Sequence, residues 1–217
     1  MKYVVANLKA HKSVDETMAW LHEFMAQDLE KFSNIVEIII APSFLALEST
    51  YKILKDLSIS LCSQDLSSLS PGAYTGEVSA QALKSFVKYT LIGHSERRRV
   101  LKESDELLNQ KVVQANSAGI IPIYFMNGEN TDVPANVHHI VYEPAGAIGV
   151  GNEISIDHVI EIRKQADPEN KYTFFYGGSV SPENAETYIN NETIDGVIIG
   201  TEALDPIRFY KILCTII

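Results

Sequence analysis

The sequence predicts an α/β protein built as a closed (β/α)8 barrel. Three observations carry this. Eight short apolar runs recur along 217 residues, most of them separated by stretches with helical spacing. The runs are continuously apolar, as in strands buried on both faces, so the sheet is parallel and covered by helices. The first run is followed by Asn-Leu-Lys-Ala-His-Lys, where an open dinucleotide-binding sheet would carry a glycine-rich turn.

Residues 4–8 form the first run and end in Asn7-Leu8-Lys9. Ser13 with Glu16 makes a capping box, in which hydroxyl and carboxylate satisfy first-turn N–H groups. Met18, Leu21, Met25 and Leu29 then follow at one-face helical spacing. Residues 35–41 are the second strand, stopped by Pro42, and 44–57 the second helix. Residues 59–63 are the third strand, ending in Gln64-Asp65. Residues 66–78 contain Ser-Pro-Gly and Tyr-Thr-Gly-Glu and form a long loop of the functional or interfacial kind.

Ser79 caps a short helix to residue 87, and residues 89–92 are the fourth strand. It runs into His94-Ser95-Glu96-Arg97-Arg98, with a helix over 101–118 closed by Gly119. Residues 120–125 and 137–142 are the fifth and sixth strands. The polar segment 127–136 between them is too short for a full helical crossover, so one outer helix is small or absent. After Glu143-Pro144 come a glycine-containing loop over 145–151 and a helix from Ser155 to about residue 166. Residues 172–176 precede Gly177-Gly178-Ser179, and Ser181-Pro182 starts a helix to about residue 189. Residues 196–199 are the last strand and 204–217 the last helix. With no internal linker, the expectation is one domain over residues 1–217.

Composition bounds the function. The net charge of −10 disfavours sequence-independent binding of nucleic acid, which needs a basic face. Two cysteines, Cys62 and Cys214, lie far apart in apolar contexts and read as reduced core residues, consistent with the cytoplasm. The N-terminus runs directly into a strand and lacks the pattern of a signal peptide, and no apolar stretch is long enough to span a membrane. No His, Asp or Glu grouping has metal-ligand spacing.

In a barrel, residues just past the strand C-termini converge on one face. Here they are Asn7 and Lys9, Gln64 and Asp65, His94 to Glu96, Glu143, Gly178 and Ser179, and Gly200 and Thr201. A carboxylate, an imidazole and an ammonium in one mouth make a proton-transfer set: a base, a polarising group and a charge partner. The glycine-rich turns can offer backbone N–H groups to a phosphate. Each signal is weak alone. Lys9 is as consistent with a solvated surface lysine, and Gly177-Gly178-Ser179 with a plain turn. Arg97 to Arg99 read as a salt-bridged or solvated face, and His138 and His139 as packing or surface residues. Ser95 and Ser179 lack a local nucleophile-base arrangement.

Taken together and in order, these pieces resemble the triosephosphate isomerase family from end to end. The carrying motifs are Asn7-Leu8-Lys9, Ala73-Tyr74-Thr75-Gly76-Glu77, Ile92-Gly93-His94-Ser95-Glu96-Arg97-Arg98, Tyr142-Glu143-Pro144 with Ala147-Ile148-Gly149, Tyr176-Gly177-Gly178-Ser179-Val180, and Asp195-Gly196 leading to Ile199-Gly200. The resemblance implies a TIM barrel that interconverts dihydroxyacetone phosphate and glyceraldehyde 3-phosphate through an enediolate, with no cofactor or metal. Lys9, His94 and Glu143 would be catalytic, with Glu143 the base and His94 the neutral electrophile. Asn7 would help orient the substrate, and Gly149, Ser179, Gly200 and Thr201 would bind its phosphate. Ser95 and Glu96 would support the site from behind, and residues 145–151 would be a lid. The loop with Thr75, Gly76 and Glu77 would join two copies in a homodimer, Thr75 reaching toward the partner's site near Asn7 and Lys9.

The chain departs from the family pattern at Ala145-Gly146, where a bulky pair with Trp is usual. It departs again at Val150-Gly151-Asn152, at Gly200-Thr201 in place of Gly-Gly, and at Gln64-Asp65 in place of Gln-Asn. The stretch Met126-Asn127-Gly128-Glu129 stands where the fifth strand usually ends in Cys. A different phosphate-binding barrel isomerase, acting on a larger sugar phosphate, and a barrel that binds without turnover are the alternatives. Retention of Lys9, His94 and Glu143 together favours the isomerase.

Overall fold

A computed structural model describes residues 1–128, 132–144 and 154–216. Eight strands among them, β1 (Lys2–Asn7), β2 (Val36–Ala41), β3 (Ile59–Ser63), β4 (Tyr89–Ile92), β5 (Ile121–Phe125), β6 (His139–Tyr142), β7 (Thr173–Tyr176) and β8 (Gly196–Ile199), pair in sequence order. All neighbours are parallel, and β8 returns to pair with β1, Tyr3 opposite Gly196 and Ala6 opposite Ile199. The expected closed barrel is therefore present.

The two-residue period of a strand sorts its side chains into two cores. Val4 and Ala6 point outward to the helices, while Val5 points inward with Ile39, Leu91, Ile123, Phe125, Val141 and Phe175. Large inward side chains fill the barrel, so it is a packed core and not a channel. Gly196 makes room for them: a Cβ there would stand 2.7 Å from both the Phe175 ring and Tyr3 Cβ. His139 is packed among the rings of Tyr3, Tyr89 and Phe175, as its packing assignment anticipated, and His138 is exposed.

The outer helices are α1 (Val14–Met25), α2 (Leu47–Leu54), α3 (Ala80–Leu83), α4 (Ser95–Val100), α5 (Asp105–Ala118), α6 (Ile156–Ala166), α7 (Ala185–Ile189) and α8 (Pro206–Leu213). Several boundaries were legible. Ser13 and Glu16 form the capping box, and Gly119 ends α5 at φ 75°. Ser155 caps α6. Among the described residues none of these helices is long and apolar enough to cross a membrane.

Four expectations are corrected. The 44–57 helix opens with a 3-10 turn, Phe44–Ala46, and α2 stops at Leu54. The helix expected over 101–118 begins only at Asp105: a separate helix, α4, ends at Val100, Lys102 adopts φ 59°, and Ser104 caps α5 by accepting from Leu107 N–H. Glu103 enforces the break, because its carboxylate turns back to Arg97 and Lys111. After β7, residues 182–184 are turn and α7 begins only at Ala185. Asn184 holds that turn, accepting from Ser181 N–H and donating to the Ser179 carbonyl. After β8, a 3-10 turn (Thr201–Leu204) precedes α8, which Asp205 caps with Pro206 in its first turn.

Between β5 and β6 no helix occurs among the described residues, in line with the short crossover. Arg98 helps to cover the exposed flank. Its guanidinium lies over the Tyr124 ring and donates to the Tyr124 hydroxyl and the Phe125 carbonyl. Asn116 of α5 donates to the Asn136 carbonyl and ties the crossover down. Arg98 thus does more than form the salt-bridged face expected of it, although it pairs with Asp105 as well.

Candidate active site

The first strand ends in a strained turn. Lys9 has a φ of 50°, a left-handed conformation that costs a non-glycine residue energy and persists only where its surroundings hold it. Those surroundings are visible. The Asn7 side chain accepts from Lys9 N–H at 3.1 Å. Gln64, from the end of β3, donates to the carbonyls of Lys9 and Ala41 at 2.8 and 2.9 Å. The turn aims the Lys9 ammonium into the mouth, where Glu96 meets it at 2.6 Å. Lys9 is therefore not a free surface lysine.

The fourth strand delivers His94 at the N-terminus of α4. Glu96 N–H donates to His94 Nδ1 at 3.2 Å, so Nδ1 is an acceptor and the ring proton of the neutral imidazole resides on Nε2. Burial pushes the His94 pKa below its usual value, against the opposing pull of Glu143 and Glu96. The neutral ring thus turns an N–H toward the cavity. The Phe125 ring, 4.8 Å away between centroids, packs beside it.

The sixth strand ends in Glu143, which is buried with 6% of its surface exposed. One carboxylate oxygen lies 3.2 Å from His94 Nε2, and the other accepts from the main-chain N–H of Ser95 at 3.0 Å. Ser95 therefore meets the carboxylate through its backbone. Its hydroxyl is buried with no hydrogen-bond partner among the described residues.

Asn7, Lys9, His94 and Glu143 line a cavity of about 280 Å³. The β7–α7 and β8–α8 loops complete it, with Gly178, Ser179, Gly200 and Thr201 on its wall. Gly178 must lack a side chain, since a Cβ there would lie 2.1 Å from the Tyr176 hydroxyl oxygen. The structure thus brings together Asn7, Lys9, His94, Glu143, Ser179, Gly200 and Thr201. The whole 145–151 lid, with Gly146 and Gly149, and Asn152 beyond it lie outside the described residues.

Asp65 was expected at the mouth, and this is corrected. It turns away to a buried charge cluster, held by Lys111 Nζ at 2.6 and 2.7 Å and by Arg97 at 2.7 Å, with Glu103 on the same cations. An isolated carboxylate would not be buried there, and the two cations supply the compensation. Asn184 and Glu202 also line the cavity and were not foreseen. Their positions gave a signal: one follows Ser-Pro-Glu after the β7 turn, the other lies two residues past Gly200.

Thr75, Gly76 and Glu77 sit in the exposed loop between β3 and α3, where Gly76 takes φ 92°. Ser67 N–H donates to the Val78 carbonyl and closes the loop at its base, and the Ser67 hydroxyl donates to Glu77. Among the described residues no group of three or more His, Cys, Asp or Glu side chains is placed to hold a metal ion.

Comparison with known proteins agrees with this geometry. A family model described as triosephosphate isomerase matches residues 2–141 and 129–216. Triosephosphate isomerase of Thermodesulfovibrio yellowstonii is 36% identical, and that of Aquifex aeolicus 32%, each alignment covering 98% of both chains. The solved triosephosphate isomerase of Bartonella henselae superposes with a TM-score of 0.83 at 26% identity, over 99% of this chain and 98% of that one. A proton-transfer set at the mouth of a closed barrel and full-length likeness to these enzymes lead to one conclusion: the chain belongs to the triosephosphate isomerase family.

Proposed function

We propose that this chain carries out the reaction of its family, the interconversion of dihydroxyacetone phosphate and D-glyceraldehyde 3-phosphate, with Glu143 as the base. Glu143 takes a proton from one carbon and returns it to the next, through an enediolate. The Nε2–H of His94 faces the two substrate oxygens and stabilises the charge that develops on them. A neutral donor suits this task, because it holds the oxygens without first protonating the base beside it. The Lys9 ammonium offsets the enediolate charge, and Asn7 and Glu96 keep it aimed. Ser179, Gly200 and Thr201, together with Gly149, receive the phosphate.

One observation carries this reading: the Glu96 N–H occupies His94 Nδ1, which leaves the ring proton on the nitrogen that faces Glu143. A coupled assay of glyceraldehyde 3-phosphate conversion tests it, with Glu143→Asp as control. A wild type no faster than that variant sinks the catalytic reading. Binding of 2-phosphoglycolate without turnover would instead mark a phosphate-binding barrel that has lost the reaction.

The same reading treats residues 1–217 as one domain and places two copies in a homodimer. The exposed loop with Thr75, Gly76 and Glu77, and the exposed Tyr74 within it, support this assembly. The assigned compartment is the cytoplasm, in keeping with two free cysteines, one buried and one partly so. Proton transfer through Glu143 needs no cofactor.

A further inference from the structure

We propose that Arg208 is a positioning residue for the phosphate end of the cavity: it holds the Glu202 carboxylate away from the place where the substrate's anionic group sits. The inference rests on the reading above, in which Ser179, Gly200 and Thr201 receive a phosphate.

Glu202 is the second residue of the 3-10 turn and lines the cavity together with Gly200 and Thr201. A carboxylate at that end opposes the anion the site is read to bind, because like charges at close range disfavour each other even in a partly wet site. The Glu202 carboxylate is nevertheless engaged, with Oε2 accepting from Arg208 Nε. Arg208 has a fixed origin. It stands in the first turn of α8, and its own N–H is capped by Asp205 Oδ1 at 3.0 Å. Its terminal nitrogen also reaches Glu183 at 3.3 Å, on the loop that runs from Ser179 into α7. One guanidinium therefore spans both loops that build this end. The turn it acts on is anchored from beneath, where Trp20 of α1 donates to the Ala203 carbonyl at 2.9 Å. The backbone of Glu202 is thus set, and only its side chain is left to be steered.

Glu183 is exposed and the arginine is itself partly exposed, so these pairs add little to folding stability. Their effect belongs to anion affinity. The test is calorimetric titration of 2-phosphoglycolate and of inorganic phosphate into the full chain as wild type, Arg208→Ala, and the double variant Arg208→Ala/Glu202→Ala. Substrate kinetics and thermal melts are recorded alongside. The expected result is about tenfold weaker binding by Arg208→Ala at low salt, the size of one partly screened like-charge contact, shrinking as salt is added. KM should rise in parallel, with turnover at saturation within about twofold and the melting temperature nearly unchanged. Removing Glu202 as well should restore binding to near wild type.

A double variant as weak as Arg208→Ala would overturn the proposal, because Arg208 would then act only as a tie between loops. Wild-type affinity in Arg208→Ala would overturn it too. A wild type that binds neither probe would instead overturn the assignment of the phosphate end, and this inference with it.

Discussion

His94 Nε2 stands 3.2 Å from Glu143 Oε1, and both groups are held by one turn. The Glu96 N–H fixes the His94 ring and the Ser95 N–H fixes the other oxygen of Glu143. The carboxylate and the imidazole are therefore registered to each other through three consecutive residues and not through two independent loops.

This registration makes the length of the base critical. Glu143→Asp withdraws the carboxylate by one methylene while keeping its charge. Turnover should fall by about 10²–10⁴-fold, the usual contribution of a positioned base. Circular dichroism should show an unchanged fold, so the loss would lie in the chemistry.

The ring state of His94 can be read directly. Burial lowers its pKa, so the imidazole should stay neutral as the pH falls through the normal histidine range. Nitrogen-15 shifts of the ring should report the Nε2–H form from pH 8 to below about 6.5, the ordinary histidine value. A protonation step at that value would contradict the assignment.

A second histidine predicts how stability depends on pH. His139, in the barrel floor, has its pKa pushed down to about 4, mainly by burial. Between about 6.5 and 4 the unfolded chain takes up a proton that the native ring refuses, so the contribution of His139 to stability falls as pH falls through this window and changes no further below it. Because water still reaches part of the ring, the loss should be about 2 kcal/mol at most. Urea titrations of the wild type and His139→Phe across this range should diverge, with the variant flatter.

The buried cluster around Lys111 predicts an asymmetry. Lys111→Met strands Asp65 and Glu103, which Arg97 alone must then serve, and should cost about 3–5 kcal/mol. Asp65→Asn removes one charge from a site that keeps Glu103 opposite Lys111 and Arg97, and should cost clearly less. Chemical denaturation of both variants would reveal the order.

Trp20→Phe keeps an aromatic ring beside Phe24 and Phe209 but removes the donor to Ala203. The orphaned carbonyl should lower stability by about 1–3 kcal/mol. Because that carbonyl belongs to the turn that carries Thr201 and Glu202 on the cavity wall, KM should rise as well. An unchanged KM would show that the turn is held by other means.

Much of this was readable from the chain. The buried strands show as apolar runs because both their faces are covered, and their ends fell within a residue or two of the observed ones. Helix starts were readable where a side chain caps its own backbone, as at Ser13 and Ser155. What stayed hidden was set by partners distant in sequence. Leu101, Leu107 and Leu108 suggest one helix, yet Glu103 is drawn to Lys111 and Arg97 and breaks it. Asp65 follows a strand end like the mouth residues but finds its cations on the outer side. Lys9 was ambiguous by position, and Gln64 and Glu96, 55 and 87 residues away, decide its direction.

The pairing of β8 with β1 also has a consequence in time. Lys9 leaves a ribosome long before Gly200, Thr201 and the α8 ring of Phe209 that packs on Phe24. The first strand must wait with one edge unpaired until the final strand arrives, a long-range closure of the kind that slows folding. The cavity acquires its second end only at that step. Enzymatic activity in a nascent or refolding population would therefore count the chains in which the ring has closed, and would lag signals from the helices.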